Sequence, residues 1–103
     1  MMNHITGDFS TRQVILDGHI LDPRPSQKLR NHSPDGFAWG YGGSGPSQLA
    51  LAILEQFETD TNALRWYQDF KWDVIATLPQ NNFDLDIDIA AWIAEREAKG
   101  GAP

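Results

Sequence analysis

Gly40-Tyr41-Gly42-Gly43-Ser44-Gly45-Pro46-Ser47 is the stretch whose residue types could do chemistry. Glycine lets backbone approach a ligand closely, serine brings a hydroxyl, and the apolar residues from Leu49 onward promise a helix just behind. Such a turn cradles a phosphate, carries a nucleophile or simply redirects the chain. The first six of these residues match G-x-G-x-x-G, but a dinucleotide site also needs a parallel βαβ unit of roughly 30 residues. Here the upstream segments read as a hairpin, and no second buried strand follows the helix. No Lys-Ser or Lys-Thr follows the glycines, which excludes a Walker loop. A nucleophile elbow on Ser44 fails because Pro46 stands where glycine is needed and all three histidines precede the serine. Two readings survive. In the favoured one, glycine supplies positive φ in a strand-to-helix turn and a serine caps the helix. In the other, Gly42, Gly43, Ser44, Gly45 and Ser47 hold an anion at the helix start, with Lys71 or Arg65 as counter-charge.

The remaining reactive side chains are sparser. Asp84, Asp86, Asp88 and Glu95 have the spacing of calcium-loop ligands, but Ile89 stands where that loop requires glycine. The expectation is an acidic cluster favoured by a helix dipole, with Asp86 as the cap. His4, His19 and His32 show no metal-ligand spacing and read as surface residues, although His32 and Asp35 lie close to the glycines in sequence. No cysteine is present, which excludes disulfides and thiolate sites and fits a reducing cytoplasm. On a helical wheel Trp72 falls among Arg65, Gln68 and Asp69, opposite the apolar face. It is either covered by the proline-rich loop, the favoured reading, or shown to a partner together with Arg65.

The elements that must position these groups follow from turn signals and apolar spacing. Asp17-Gly18 predicts a type I′ hairpin with Ile15 opposite Ile20 and Val14 opposite Leu21. Residues 23–36 hold three prolines and read as an irregular crossing loop. Phe37-Ala38-Trp39 is a candidate third strand. A first helix is expected over about 46–58, with Pro46 in its first turn. A second should start near Asp60 or Thr61 and end before Pro79, burying Ala63, Tyr67, Phe70, Val74 and Leu78. A third should run over about 87–99, with Ile89, Trp92 and Ile93 inward and a Gly-Gly stop. The predicted fold is one α+β domain over residues 1–103, a small antiparallel sheet (hairpin plus one short strand) packed against three helices.

The stretch F-x-W-G-Y-x-G-S-G-P-x-Q-L-A-L-A-x-L resembles the signature of a family of short, uncharacterised proteins from bacteria, archaea and their phages. The resemblance continues in "GHILDPR", "HSPDGF", "YQDFKWDVIATLP" and "DIAAWI", and spans about residues 11–95. It implies a stand-alone domain often encoded on phages and mobile elements, and it assigns no catalytic residue.

Charge and size narrow the function classes. Fourteen acidic against eight basic side chains give a formal net charge of −6, which disfavours phosphate-backbone binding and favours a basic partner surface. No apolar run is long enough for a membrane span, and the polar N-terminal residues are unlike a signal peptide. No acid–base pair, nucleophile relay or metal cluster emerges, so the chain is read as a non-catalytic protein without cofactor or metal. The expected function is cytoplasmic binding of a host protein, with a defence component that processes nucleic acid as the expected type of target. Trp72 and Arg65 would be the anchor, and Asp84, Asp86 and Asp88 the acidic contacts. The alternative is a module that holds a phosphorylated metabolite or nucleotide at the glycine turn.

Overall fold

A computed structural model describes residues 1–100 of the chain. It shows an α+β fold with a four-stranded antiparallel sheet and four helices. The strands are β1 (Asn3–Gly7), β2 (Val14–Leu16), β3 (His19–Ile20) and β4 (Phe83–Ile87), in the order β3-β2-β1-β4. The helices are α1 (Arg24–Leu29), α2 (Ser44–Leu54), α3 (Asp60–Asp73) and α4 (Ile89–Gly100), and a 3-10 turn covers Ile75–Thr77.

The Asp17-Gly18 hairpin forms with Ile15 opposite Ile20. Both turn residues have positive φ, 50° and 83°, as a type I′ turn requires. Alternation then sorts the sheet into two faces. Ile5, Val14 and Leu16 are buried inward with Phe83, while His4, Ile15, Ile20, Asp84 and Asp86 are exposed outward.

Three expectations need correction. The first is that "FAW" forms a strand. It forms no strand, and Phe37 and Trp39 are sunk in the core. Trp39 packs edge-on against Phe83, with centroids 4.9 Å apart, and donates its indole N–H to the Asn81 carbonyl at 2.8 Å. The extra strands are instead β1, from the polar N-terminal residues, and β4, whose residues pair with β1 without a break from Asn3↔Ile87 to Gly7↔Phe83.

The second correction concerns residues 23–36, which are not wholly irregular. Pro25 lies in the first turn of α1, where its missing N–H costs nothing, and Asp22 accepts the Arg24 N–H just ahead of it. The third is Asp86 as a helix cap. Asp86 lies on β4, and Asp88 instead accepts the Ala91 N–H at the start of α4. Of the expected Gly-Gly stop, Gly100 ends α4 and Gly101 lies outside the described residues.

α2 is the centre of the molecule. Every residue from Gly45 to Leu54 is buried, so it needs cover on all sides. α3 and α1 pack on it directly, and the inward side chains of the sheet join the same apolar core. A helix buried all round reads as apolar throughout rather than as one stripe, as this one does. α3 starts at Asp60, as expected, and its cap is Thr59, whose hydroxyl accepts the Asn62 N–H. Its buried residues are Ala63, Tyr67 and Phe70, as expected, with Trp66 and Lys71 added. The helix ends at Asp73, sooner than expected, so Val74 caps it and Leu78 lies beyond the 3-10 turn, only partly buried. α4 joins through Trp92, edge-on to Phe70 at 4.9 Å, and through the Arg96–Asp69 ion pair at 2.8 Å.

Candidate functional site

The start of α2 and the end of α3 meet, and the glycine turn lies between two aromatic rings. A Cβ on Gly42 would fall 2.1 Å from Cη2 of Trp72, and one on Gly43 would fall 2.4 Å from Cε2 of Tyr41. Gly45 is buried against Ala38, where a Cβ would fall 2.6 Å from the alanine methyl. Close approach, not positive φ, therefore explains these three glycines; of the turn's glycines only Gly40 has a positive φ, 85°.

The helix start departs from the favoured expectation in a second way. Gly43 is the N-cap, and no side chain caps the helix. Ser47 is buried and turns its hydroxyl to the Gly43 carbonyl at 3.1 Å, while Ser44 is exposed in the first turn. Pro46 has no N–H, so the donors without an intrahelical partner belong to Ser44 and Gly45 in the first turn.

Trp72 is 59% exposed and Tyr41 48%, so the favoured expectation that the proline-rich loop covers Trp72 is corrected. The indole lies on Gly42 instead, because the helical wheel turns it outward at the point where the glycine turn passes. Lys71 is only 7% exposed. Its Nζ lies 4.4 Å from the Trp72 ring centroid and 3.4 Å from the Gly42 carbonyl oxygen. Among the described residues no carboxylate pairs with it. Arg65, two turns back on the same side of α3, spreads its guanidinium over Trp66 at 4.9 Å.

Sequence reasoning missed the polar network behind this turn. Gln48 is fully buried, and its amide is satisfied on both ends. Nε2 donates to Ser26 Oγ at 2.9 Å and to the Arg30 carbonyl at 3.1 Å. Oε1 accepts the backbone N–H groups of His32 at 2.7 Å and Ser33 at 3.0 Å. A buried amide demands such partners, and here they clamp residues 30–33 onto α2. The clamp places His32 against Tyr67, whose hydroxyl shares a 2.6 Å hydrogen bond with Nε2. Burial lowers the His32 pKa, and the charges of Arg30 and Lys71 lower it further. A glutamine inside an apolar helix run was the one sequence signal for this network.

The acidic trio is dispersed. Asp84 and Asp86 project from the outer face of the sheet, and Asp84 bonds His4 at 2.6 Å. Asp88 caps α4 and pairs with the N-terminal ammonium at 3.0 Å. Among the described residues no group of three His, Cys, Asp or Glu side chains is arranged to hold a metal, and no helix is long and apolar enough to cross a membrane. The arrangement offers recognition chemistry: two aromatic faces, a sheltered ammonium and an uncapped helix start.

The fold and this turn define a small α+β domain with an aromatic-flanked glycine turn. The chain belongs to a family of unknown function, DUF6166, whose model matches residues 5–95. No curated protein and no solved structure matches it.

Proposed function

We propose that the protein binds a partner protein through the face formed by Tyr41, the glycine turn and Trp72. The observation that carries this reading is the indole of Trp72, exposed yet seated on a glycine that leaves room for nothing else. An exposed aromatic ring held in place loses little freedom on binding, the property of an interface anchor. Arg65 extends the same face along α3, and tryptophan with arginine is the composition enriched in binding hot spots. The net charge of −6 supports a partner with a basic surface, drawn by long-range attraction. Exposed Asp84 and Asp86 add to that field, whereas Asp88 is engaged in the α4 cap. The resemblance to short phage and mobile-element proteins supports a host protein as the partner, in the cytoplasm, with a nucleic-acid-processing defence enzyme as the type of target. Its basic channel is the kind of surface an acidic protein occupies.

The test is affinity capture from a bacterial lysate with the wild-type chain and Trp72→Ala side by side. A specific partner should lose about 2 kcal/mol of binding on Trp72→Ala. A partner held equally by both chains overturns the reading.

A second reading is favoured by Lys71 alone. An ammonium that faces the turn without a carboxylate is suited to a phosphorylated metabolite or nucleotide at Gly42, Gly43 and Ser44. A thermal-shift panel of nucleotides decides it: stabilisation abolished by Lys71→Met supports it, and no shift across the panel rejects it.

A further inference from the structure

Near Trp39, the loop between β1 and β2 carries Arg12 in an unusual state. Its φ is 63°, in the left-handed region that bulky residues seldom occupy. The loop holds it there: the Asp8 carbonyl accepts the Arg12 N–H at 2.7 Å, and the Asp8 carboxylate accepts Ser10 Oγ at 2.6 Å. Backbone strain that is held by surrounding bonds concentrates at ligand sites.

The guanidinium is also fixed and incompletely satisfied. Its Cζ lies 3.7 Å from the Phe9 ring centroid and 5.6 Å from that of Trp39. Nη1 is buried with no hydrogen-bond partner, and among the described residues no carboxylate pairs with the side chain. The one arginine–carboxylate pair nearby is Arg24 with Asp22, at 2.7 Å. A guanidinium is always charged, so a half-buried one without an acceptor is a costly arrangement unless something arrives to fill it.

Arg12 lines a groove of about 580 Å³, a size that suits a small organic molecule. Ile20, Leu21, Pro23 and Phe37 give it an apolar wall, and Asp22 and Asp35 stand on its rim. Arg24 lines the groove as well but is held by Asp22, so with Asp35 beside them the lining has no surplus of positive charge for a dianionic phosphate. A planar carboxylate suits the planar guanidinium fork, which binds it through two parallel hydrogen bonds.

We propose that this groove binds a small molecule with an apolar body and a single carboxylate, held by Arg12. The site is separate from the Trp72 face and stands whether or not that face binds a protein. NMR titration of the whole chain with phenylacetate tests it, with phenylacetamide and inorganic phosphate as comparisons. Phenylacetate should shift the amides of Arg12, Leu21 and Phe37 and saturate with a dissociation constant on the order of 1 mM. Phenylacetamide should bind about tenfold more weakly, because it lacks the charge. Arg12→Asn, which tolerates the left-handed backbone, should abolish saturation. Arg12→Lys keeps the charge without the fork and should fall between the two. Absence of saturable shifts, equal binding of the amide, binding unchanged in both variants, or phosphate binding more tightly than phenylacetate each overturns the proposal.

Discussion

The glycine turn and the outer face of the sheet both meet water, but their side chains are held by opposite means. At the turn, Trp72, Tyr41 and Lys71 are fixed by packing onto glycine backbone, and the charge of Lys71 is nearly shut from solvent. On the sheet, strand alternation turns His4, Asp84 and Asp86 outward, the His4–Asp84 hydrogen bond is itself exposed, and their charges stand in water. A surface charge in water contributes little to stability and is screened by salt. A surface aromatic held by shape keeps its position at any salt concentration. The lesson is that exposure alone does not make a site; exposure with imposed geometry does.

The comparison breaks first at Gly45. Its Cβ would meet the Ala38 methyl and backbone, which cannot swing aside as a ring can. Gly45→Ala should cost about 1–3 kcal/mol in chemical denaturation, the usual penalty for overpacking. Gly42→Ala should cost less, because Trp72 is exposed and its ring can move off. That movement should shift the tryptophan emission and weaken any partner that needs the indole. Gly42→Ala matching Gly45→Ala in stability loss would show that Trp72 is a packing residue.

Two histidines sharpen the contrast through pH, with opposite signs. The His32 pKa is lowered by burial, then by Arg30 and Lys71, so the folded state favours its neutral form. Its contribution to stability is present above the ordinary histidine value of about 6.5 and is lost as pH falls below it. His32→Gln should therefore flatten the acid side of the stability curve. The His4 pKa is raised, first by its hydrogen bond to Asp84 and then by that group's charge. Its contribution is present below about pH 6.5 and is lost as pH rises through the raised value. This second effect should be the smallest of all, removed by Asp84→Asn and weakened by salt, because the pair is solvent-exposed. Histidine ring titrations by NMR read both directions; two shifts of the same sign would remove the distinction between the regions.

Much of the architecture was legible in local patterns. Asp17-Gly18 specified its turn because few residues accept two successive positive φ angles. The apolar spacing of Tyr67, Phe70, Ile89 and Ile93 marked the buried sides of two helices, because a 3.6-residue period has one inward direction, and the apolar run from Leu49 to Leu54 marked a helix that is buried all round. Strand identity was less legible. Phe37-Ala38-Trp39 has strand composition but spends its bulk in the core, while β4 reads as a helix start because Asp84, Asp86 and Asp88 stand just ahead of an apolar helical pattern whose dipole suits them. A short alternating run states which side chains face alike, and says nothing of which strand will pair with it.

What the sequence determined by itself is therefore the set of elements with strong local preference, together with a net charge that no fold can change. Only the tertiary structure decided that Trp72 rests on Gly42 and that Gln48 clamps His32 onto Tyr67. It also decided that Arg12 faces a groove without an acceptor. Each of these joins residues distant in the chain, and no local preference records a contact whose energy exists only after the chain has closed around it.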